Sequence, residues 1–270
     1  SNNRAIFLES SSGNNVTSNI AESNQYGFYA ASSSNNALIS NTFKFNNVDG
    51  VYLDTSSNNV LSSNIASVNN VYGINSYLSS NNTFTNNTVS SNPSNSGIYF
   101  SSSSNNTLIS NTANSNAFYG FSIEASSNNV LINNTANSNN RAISLHSGSN
   151  NNTVINNNFS IYSTEAMRIT SSTGNLLKDQ PIGAYTLTSA GFAIENTSSG
   201  KIVFLNNTIT ESGSSLSTDI VVQGNLVFVN STLQPGLNTT ANITLYNVNF
   251  TNPSNGHNIT SRSGLNFNPI

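Results

Sequence analysis

Glu124, Arg141 and His146 carry the sharpest chemical suggestion in this chain. A carboxylate, a guanidinium and an imidazole held together can take up, hold and return a proton. Glu124 and His146 are 22 residues apart, so only a chain that returns alongside itself at about that interval would pair them. The same three residues also read as a plain surface charge pair between neighbouring strands, which contributes under about 1 kcal/mol. A second set is aromatic. Phe7, Tyr29, Tyr52 and Tyr99 recur at intervals of 22, 23 and 47 residues. Flat rings with polar edges suit the rings of sugars, whereas rings stacked on one another fasten neighbouring strands. A third set is the fourteen Asn-x-Ser/Thr sequons, about as many as composition alone would give. Those expected in irregular structure are the better glycosylation candidates: Asn196, Asn206, Asn230, Asn238, Asn242, Asn249 and Asn258. Others, such as Asn105 and Asn151, are expected to be buried at the corners of the fold.

Composition removes several classes of function. Charged residues are 6% of the chain, against about 25% in ordinary globular domains. The net charge is −3 and the seven Lys and Arg are scattered singly, so no basic stripe exists for phosphates and no nucleic-acid partner is expected. There is no Cys, which excludes disulfides and thiolate metal sites. The ten acids are mostly isolated and there are two His, so no metal site and no cofactor are expected. No apolar run approaches the ~18 residues of a membrane span. The chain opens at Ser1 in mid-repeat, and we expect a mature or excised piece of a larger protein. With 56 Asn, 50 Ser and 25 Thr, so polar a chain could be disordered. The 35% of hydrophobic residues argue otherwise, because they fall in columns.

Those columns reveal what would have to position the candidate residues. Asn-Asn pairs end at Asn15, Asn36, Asn59, Asn82, Asn106, Asn129 and Asn152, and Asn175 follows one period later. The period is about 23 residues. A small-residue column, Ala5, Gly27, Gly50, Gly73, Gly97, Gly120, Ala142 and Ala166, keeps the same period. After it comes a strand of period two, with Ile6, Phe28, Val51, Ile74, Ile98, Phe121, Ile143 and Met167 facing inward. A second apolar column holds Leu38, Leu61, Phe84, Leu108, Leu131, Val154 and Leu177, and a third holds Phe43, Ala66, Val89, Ala113, Ala136 and Phe159. Three short strands per coil predict an all-β, right-handed parallel β-helix. Coils about 4.8 Å apart make seven of them a rod of about 34 Å. Gly and Asn are placed at the corners, where they tolerate positive φ. Stacked Asn columns, including Asn41 to Asn157 and Asn46 to Asn139, are expected to pass amide hydrogen bonds up the axis. The regular part covers residues 1–178. Residues 179–270 form an irregular continuation and cap, or a small β-domain, with strands at 201–208, 225–232 and 242–249 and loops at 183–191 and 211–219.

The repeat reads Tyr-Gly-Ile-x-Leu, then Ser-Ser-x-Asn-Asn, then an apolar residue and another Asn, best kept at 26–41, 72–87 and 119–134. It resembles the NosD-type parallel β-helix repeats of archaeal and bacterial surface proteins, a group that includes carbohydrate-binding and sugar-hydrolase members. The resemblance implies the fold and an extracellular or cell-surface location. The name-giving members are linked to copper-site maturation, but with two His, one Met and no Cys copper is not carried over. The function expected is a non-enzymatic structural or adhesive segment of a surface layer, sheath or filament. It would associate with itself or with other surface subunits, and N-glycosylation would suit such a role. The alternatives are a carbohydrate-binding module using Phe7, Tyr29, Tyr52 and Tyr99, and a polysaccharide-active enzyme using Glu124, His146 and Arg141.

Overall fold

The computed structural model describes residues 2–224 and 226–246. Its first sheet stacks Arg4–Glu9, Tyr26–Ala31, Val51–Asp54, Ile74–Tyr77, Ile98–Ser101, Tyr119–Glu124, Asn139–His146 and Tyr162–Lys178, each parallel to the next. A second stacks Asn15–Thr17, Ala37–Ile39, Val60–Ser62, Thr83–Thr85, Thr107–Ile109, Val130–Ile132 and Thr153–Ile155. The third is thin: Ile20–Glu22 pairs with Thr42–Lys44, and single bridges continue through Ile65, Thr88, Thr112, Thr135 and Asn158. The chain is a right-handed parallel β-helix of about eight coils. From the second coil onward the three inward columns named above are at most 4% exposed, and together they form one apolar core along the axis.

Four internal ladders tie the coils together. At the corner before the second sheet, the backbone N–H of each ladder Asn donates to the side-chain oxygen of the next. The series runs from Asn36 through Asn59, Asn82, Asn106, Asn129 and Asn152 to Asn175, at 2.7–2.9 Å. A second runs from Asn41 through Asn64, Asn87, Asn111 and Asn134 to Asn157, and a third from Asn24 through Asn46, Asn69, Asn92 and Asn116 to Asn139. The fourth was not anticipated. Ser33, Ser56, Ser79, Ser103, Ser126, Ser149 and Ser172 do the same with hydroxyls. The recurring Ser-Ser before each Asn pair was its sequence signal.

Three details of the corners differ from expectation. The conserved spacing of glycines is not needed for positive φ. The left-handed bends are made mostly by Ser and Asn, among them Asn58, Asn81, Asn105, Asn128 and Asn151 at φ of 56–59°. Gly27, Gly50, Gly73, Gly97 and Gly120 instead solve a space problem: a Cβ on Gly73 would lie 2.5 Å from the Ala66 oxygen and 2.9 Å from the Val89 Cβ. The bend also explains the sequons: Asn105 and Asn151 are exposed, and it is their successors Asn106 and Asn152 that are buried. In the first coil Asn14, rather than Asn15, enters the ladder with Asn36, because Gly13 takes the left-handed bend at φ +74°.

Beyond Lys178 stacking continues for one more layer. Tyr185–Asn196 lies parallel on Tyr162–Lys178. Residues 183–191, expected as a loop, are therefore largely strand, because Tyr185, Leu187, Ala190 and Phe192 alternate into the core. Gly200–Phe204 and Ile209–Gly213 then run antiparallel to it, and Ala241–Leu245 antiparallel to Gly200–Phe204. A hairpin of Ile220–Gln223 and Leu226–Val229 follows a four-residue helix, Leu216–Asp219. The change to antiparallel pairing closes the open end of the stack, which would otherwise offer an unpaired edge. Of the expected strands at 201–208, 225–232 and 242–249, the described residues hold Gly200–Phe204, Leu226–Val229 and Ala241–Leu245; residues 225 and 247–249 lie outside the described residues.

Asn111 accepts from the backbone and side chain of Asn87, both at 3.0 Å, and donates to the Phe84 carbonyl at 2.9 Å. Asn111→Ala should leave these buried groups unpaired and cost about 3 kcal/mol, against about 0.5 kcal/mol for half-exposed Thr107→Ala. The urea midpoints of the two variants check this.

Candidate functional site

The outer face of the first sheet holds nearly every residue singled out for chemistry. Alternation along each strand sends three columns outward. One is Arg4, Tyr26, Asp49, Tyr72, Ser96, Tyr119, Arg141 and Glu165. The next is Phe7, Tyr29, Tyr52, Asn75, Tyr99, Ser122, Ser144 and Arg168. The last is Glu9, Ala31, Asp54, Tyr77, Ser101, Glu124, His146 and Thr170. The register is direct from coil to coil, with Tyr29 beside Tyr52 and Glu124 beside His146.

The aromatic residues form a ladder across coils. Ring centroids are 5.5 Å apart for Phe7 and Tyr29 and 4.8 Å for Tyr29 and Tyr52, and Tyr26 joins both tyrosines at 5.4 and 5.8 Å. Where Asn75 interrupts the column, Tyr72 and Tyr99 stack across the gap at 4.8 Å and 13°. The Arg4 guanidinium lies over Phe7 and Tyr29, 4.2 and 4.4 Å from their centroids. The rings thus spend their faces largely on each other and present edges and hydroxyls outward, leaving Phe7 37% exposed and Tyr29, Tyr52 and Tyr99 half-buried. The hydroxyls are directed by acids. Tyr29 donates to Asp54 at 3.1 Å and Tyr99 donates to Glu124. Burial and that bond push the Tyr99 hydroxyl up to about 12. Burial likewise raises Tyr52 and Tyr72.

Glu124 and His146 are neighbours, but each is held by other groups. Glu124 takes the Tyr99 hydroxyl. His146 shares hydrogen bonds with Ser122, 3.3 Å from Nε2, and Ser147, 3.2 Å from Nδ1. Burial lowers the His146 pKa, the Glu124 charge opposes this and Arg168 adds to it. Arg141 does not join the pair. It bonds the buried Glu165, which Arg168 also reaches at 2.8 Å, and it lies 5.7 Å from the Tyr119 ring centroid. The three residues therefore do not converge on a common point.

Asp49 is what the sequence concealed. It is 1% exposed, beneath the tyrosines at the gap in the ladder. The Tyr72 backbone N–H donates to Oδ1 at 3.1 Å and Asn75 Nδ2 to Oδ2 at 3.0 Å. Burial nonetheless raises its pKa to about 7, against the pull of those two bonds. Asn75 Oδ1 is buried with no partner, as it would be beside a carboxylate; beside a carboxylic acid, a flipped amide could accept the acid proton. Its column, between Tyr26 and Tyr72, was the available signal.

Elsewhere there is little chemistry. Two open clefts of about 330 and 460 Å³ flank residues 179–182, the first with Asp179 and Glu195 and the second with Tyr162 as its ionisable lining. Among the sequons, Asn206, Asn238 and Asn242 are exposed, while Asn196 and Asn230 are half-buried. Asn206 accepts from the Thr208 hydroxyl at 2.7 Å, and Asn230 donates to Asp219 at 3.2 Å. Asn249 and Asn258 lie outside the described residues. Among the described residues, no three His, Asp or Glu side chains gather as metal ligands, and no helix is long and apolar enough to cross a membrane.

The family model for the right handed beta helix region matches residues 38–179. The chain belongs to the right-handed β-helix family. A model for the periplasmic copper-binding protein NosD matches residues 1–49. Among the described residues there is no ligand set for copper: His146 is engaged with serines, and Met167 is fully buried inside the coil. No curated protein matches the sequence. Among solved structures, the A-module of the Azotobacter vinelandii mannuronan C-5 epimerase AlgE4 superposes with a TM-score of 0.53 at 16% identity, over 68% of this chain and 53% of that one. The A-module of AlgE6 from the same organism gives 0.56 at 13%, over 72% and 67%. A double mutant of the periplasmic alginate epimerase AlgG gives 0.52 at 18%, over 70% and 49%. The likeness is one of fold, and this β-helix spans about half the length of the AlgE4 module and of AlgG.

Asp49 sets a pH dependence. Below about pH 4 it is protonated both folded and unfolded. Between its ordinary value of 3.8 and about 7 only the unfolded chain ionises, so stability falls as pH rises, by on the order of 4 kcal/mol in total. Asp49→Asn should therefore raise the melting temperature at pH 8 and leave it nearly unchanged at pH 4. Thermal melts at the two pH values check this.

Proposed function

We propose that this β-helix is a rigid segment of an extracytoplasmic surface protein, and that the outer face of its first sheet adheres to glycan chains. The observation that carries the reading is the row of tyrosine edges and hydroxyls over the second to fifth coils, in two stacked groups, Tyr26–Tyr29–Tyr52 and Tyr72–Tyr99, with the Tyr29 and Tyr99 hydroxyls aimed by Asp54 and Glu124. Sugar hydroxyls need donors and acceptors fixed in place, and mutual stacking fixes these before a ligand arrives, which lowers the ordering cost of binding. The ring edges add apolar contact without requiring a free ring face. The ladders consume the buried amides and hydroxyls of the interior, and this face adds hydroxyls whose direction is fixed. The NosD match, the absence of Cys and the low charge support a place outside the cytoplasm. The dispersal of Glu124, His146 and Arg141 among different partners favours adhesion over catalysis.

A second reading, side-by-side packing of rods, has its own observation. The outer positions of the second sheet over four coils are Thr83, Thr85, Thr107, Ile109, Val130, Ile132, Thr153 and Ile155, all β-branched and uncharged. Such a face suits lateral self-association.

The two readings separate in one set of measurements. On a glycan array, Tyr52→Ala should lower binding at least about fivefold and Thr107→Lys should not, since an edge contact is worth about 1 kcal/mol. In sedimentation at rising concentration Thr107→Lys should reduce association and Tyr52→Ala should not.

A further inference from the structure

We infer that the glycan suited to the tyrosine face is an amino-sugar chain, whose free amines meet Asp54 and Glu124. The inference rests on the glycan-contact reading above and adds a charge class to it. From Tyr26 to Glu124 the outward columns of the first sheet carry Asp49, Asp54 and Glu124, and no Lys, Arg or His. The cations that border this strip are already committed. Arg4 lies on the Phe7 and Tyr29 rings at one end, and Arg141 and Arg168 are held by Glu165 at the other. A polymer of sugar acids would thus lay its carboxylates along a strip with acids and no free cation, and like charges facing each other oppose binding.

The acids are also arranged to receive amines. Asp54 is half-buried, takes the Tyr29 hydroxyl on Oδ2 and the Thr55 hydroxyl on Oδ1 at 3.0 Å, and is held in one orientation by them. Glu124 takes the Tyr99 hydroxyl on Oε2, and among the described residues Oε1 receives no hydrogen bond. Both occupy the same outward column, three coils apart, which is about 14 Å along the axis. A chain lying along the rod passes over both, with Tyr77 and Ser101 between them in that column and the Tyr72 and Tyr99 edges beside it. Each ammonium–carboxylate contact at such a half-exposed position is worth up to about fivefold in affinity.

The test uses the full chain and three hexasaccharides of equal length: glucosamine, N-acetylglucosamine and a uronic acid, titrated by calorimetry at a pH where the amines are charged. The glucosamine hexamer should bind at least about fivefold tighter than its acetylated counterpart. That advantage should vanish at high salt and in the near-isosteric Asp54→Asn, Glu124→Gln double variant, while Tyr52→Ala weakens both amino sugars alike. Equal binding of the two amino sugars, or tighter binding of the uronic acid hexamer, overturns the charge inference; if Tyr52→Ala still lowers that binding, the glycan-contact reading survives alone. Failure of all three to bind overturns both.

Discussion

One hydrogen bond, repeated, underlies the rest of the structure: a backbone N–H at a corner donating to the amide oxygen of the Asn one coil on. A parallel solenoid bends four times per turn, and at every bend the chain leaves the sheet and its backbone groups lose their ladder partners. Buried and unpaired, such groups are costly. Asn is suited to the position because its oxygen accepts from one neighbouring coil while its nitrogen reaches the coils on both sides, as Asn111 accepts from Asn87 and donates to the Phe84 carbonyl of that same coil and to Asn134 of the next. The low charge follows, because a buried ladder of carboxylates or ammonium groups would have to be neutralised. The three Asn columns buried at the corners are thus the polar part of the interior and not a sign of disorder.

The outer face inherits its order from those corners. Coils in fixed register place identical columns one above another, so one aromatic per coil becomes a stacked row and one acid becomes a fixed acceptor for the tyrosine of a neighbouring coil. The departures lie where a column changes residue type. Asn75 breaks the aromatic row and leaves an orphan acceptor. Ser122 and Ser144 replace the rings further along, and there the face turns to Glu165 and its two arginines.

The period, the three apolar columns and the direction of each strand were legible because burial imposes period two on a chain of period 23, and both survive in sequence. The three Asn columns were legible for the same reason. What escaped reading depends on close approach. The glycine column looked like a demand for positive φ, but Ala66 and Val89 across the interior make it a demand for room. Asp49 looked like another isolated surface acid because the tyrosines that bury it belong to other coils. The position of Arg141 in its column, beside Glu165 on the next coil, was legible; the burial of Glu165 was not, since side-chain reach is not written in spacing. Residues 183–191 lose the period in sequence, yet Tyr185, Leu187 and Phe192 still pack on the coil before them.

The corner ladders also decide how such a molecule grows. Each ladder residue bonds only within its own coil or to the coils next to it, 22 to 27 residues away, and no contact in the regular part depends on the total number of coils. One coil is therefore both a template for the next and a unit that gene duplication can add or remove without disturbing the others. Each addition lengthens the rod by about 4.8 Å. Reach would then be set by the number of repeats, and the recognising face could change residue by residue on a scaffold that does not change at all.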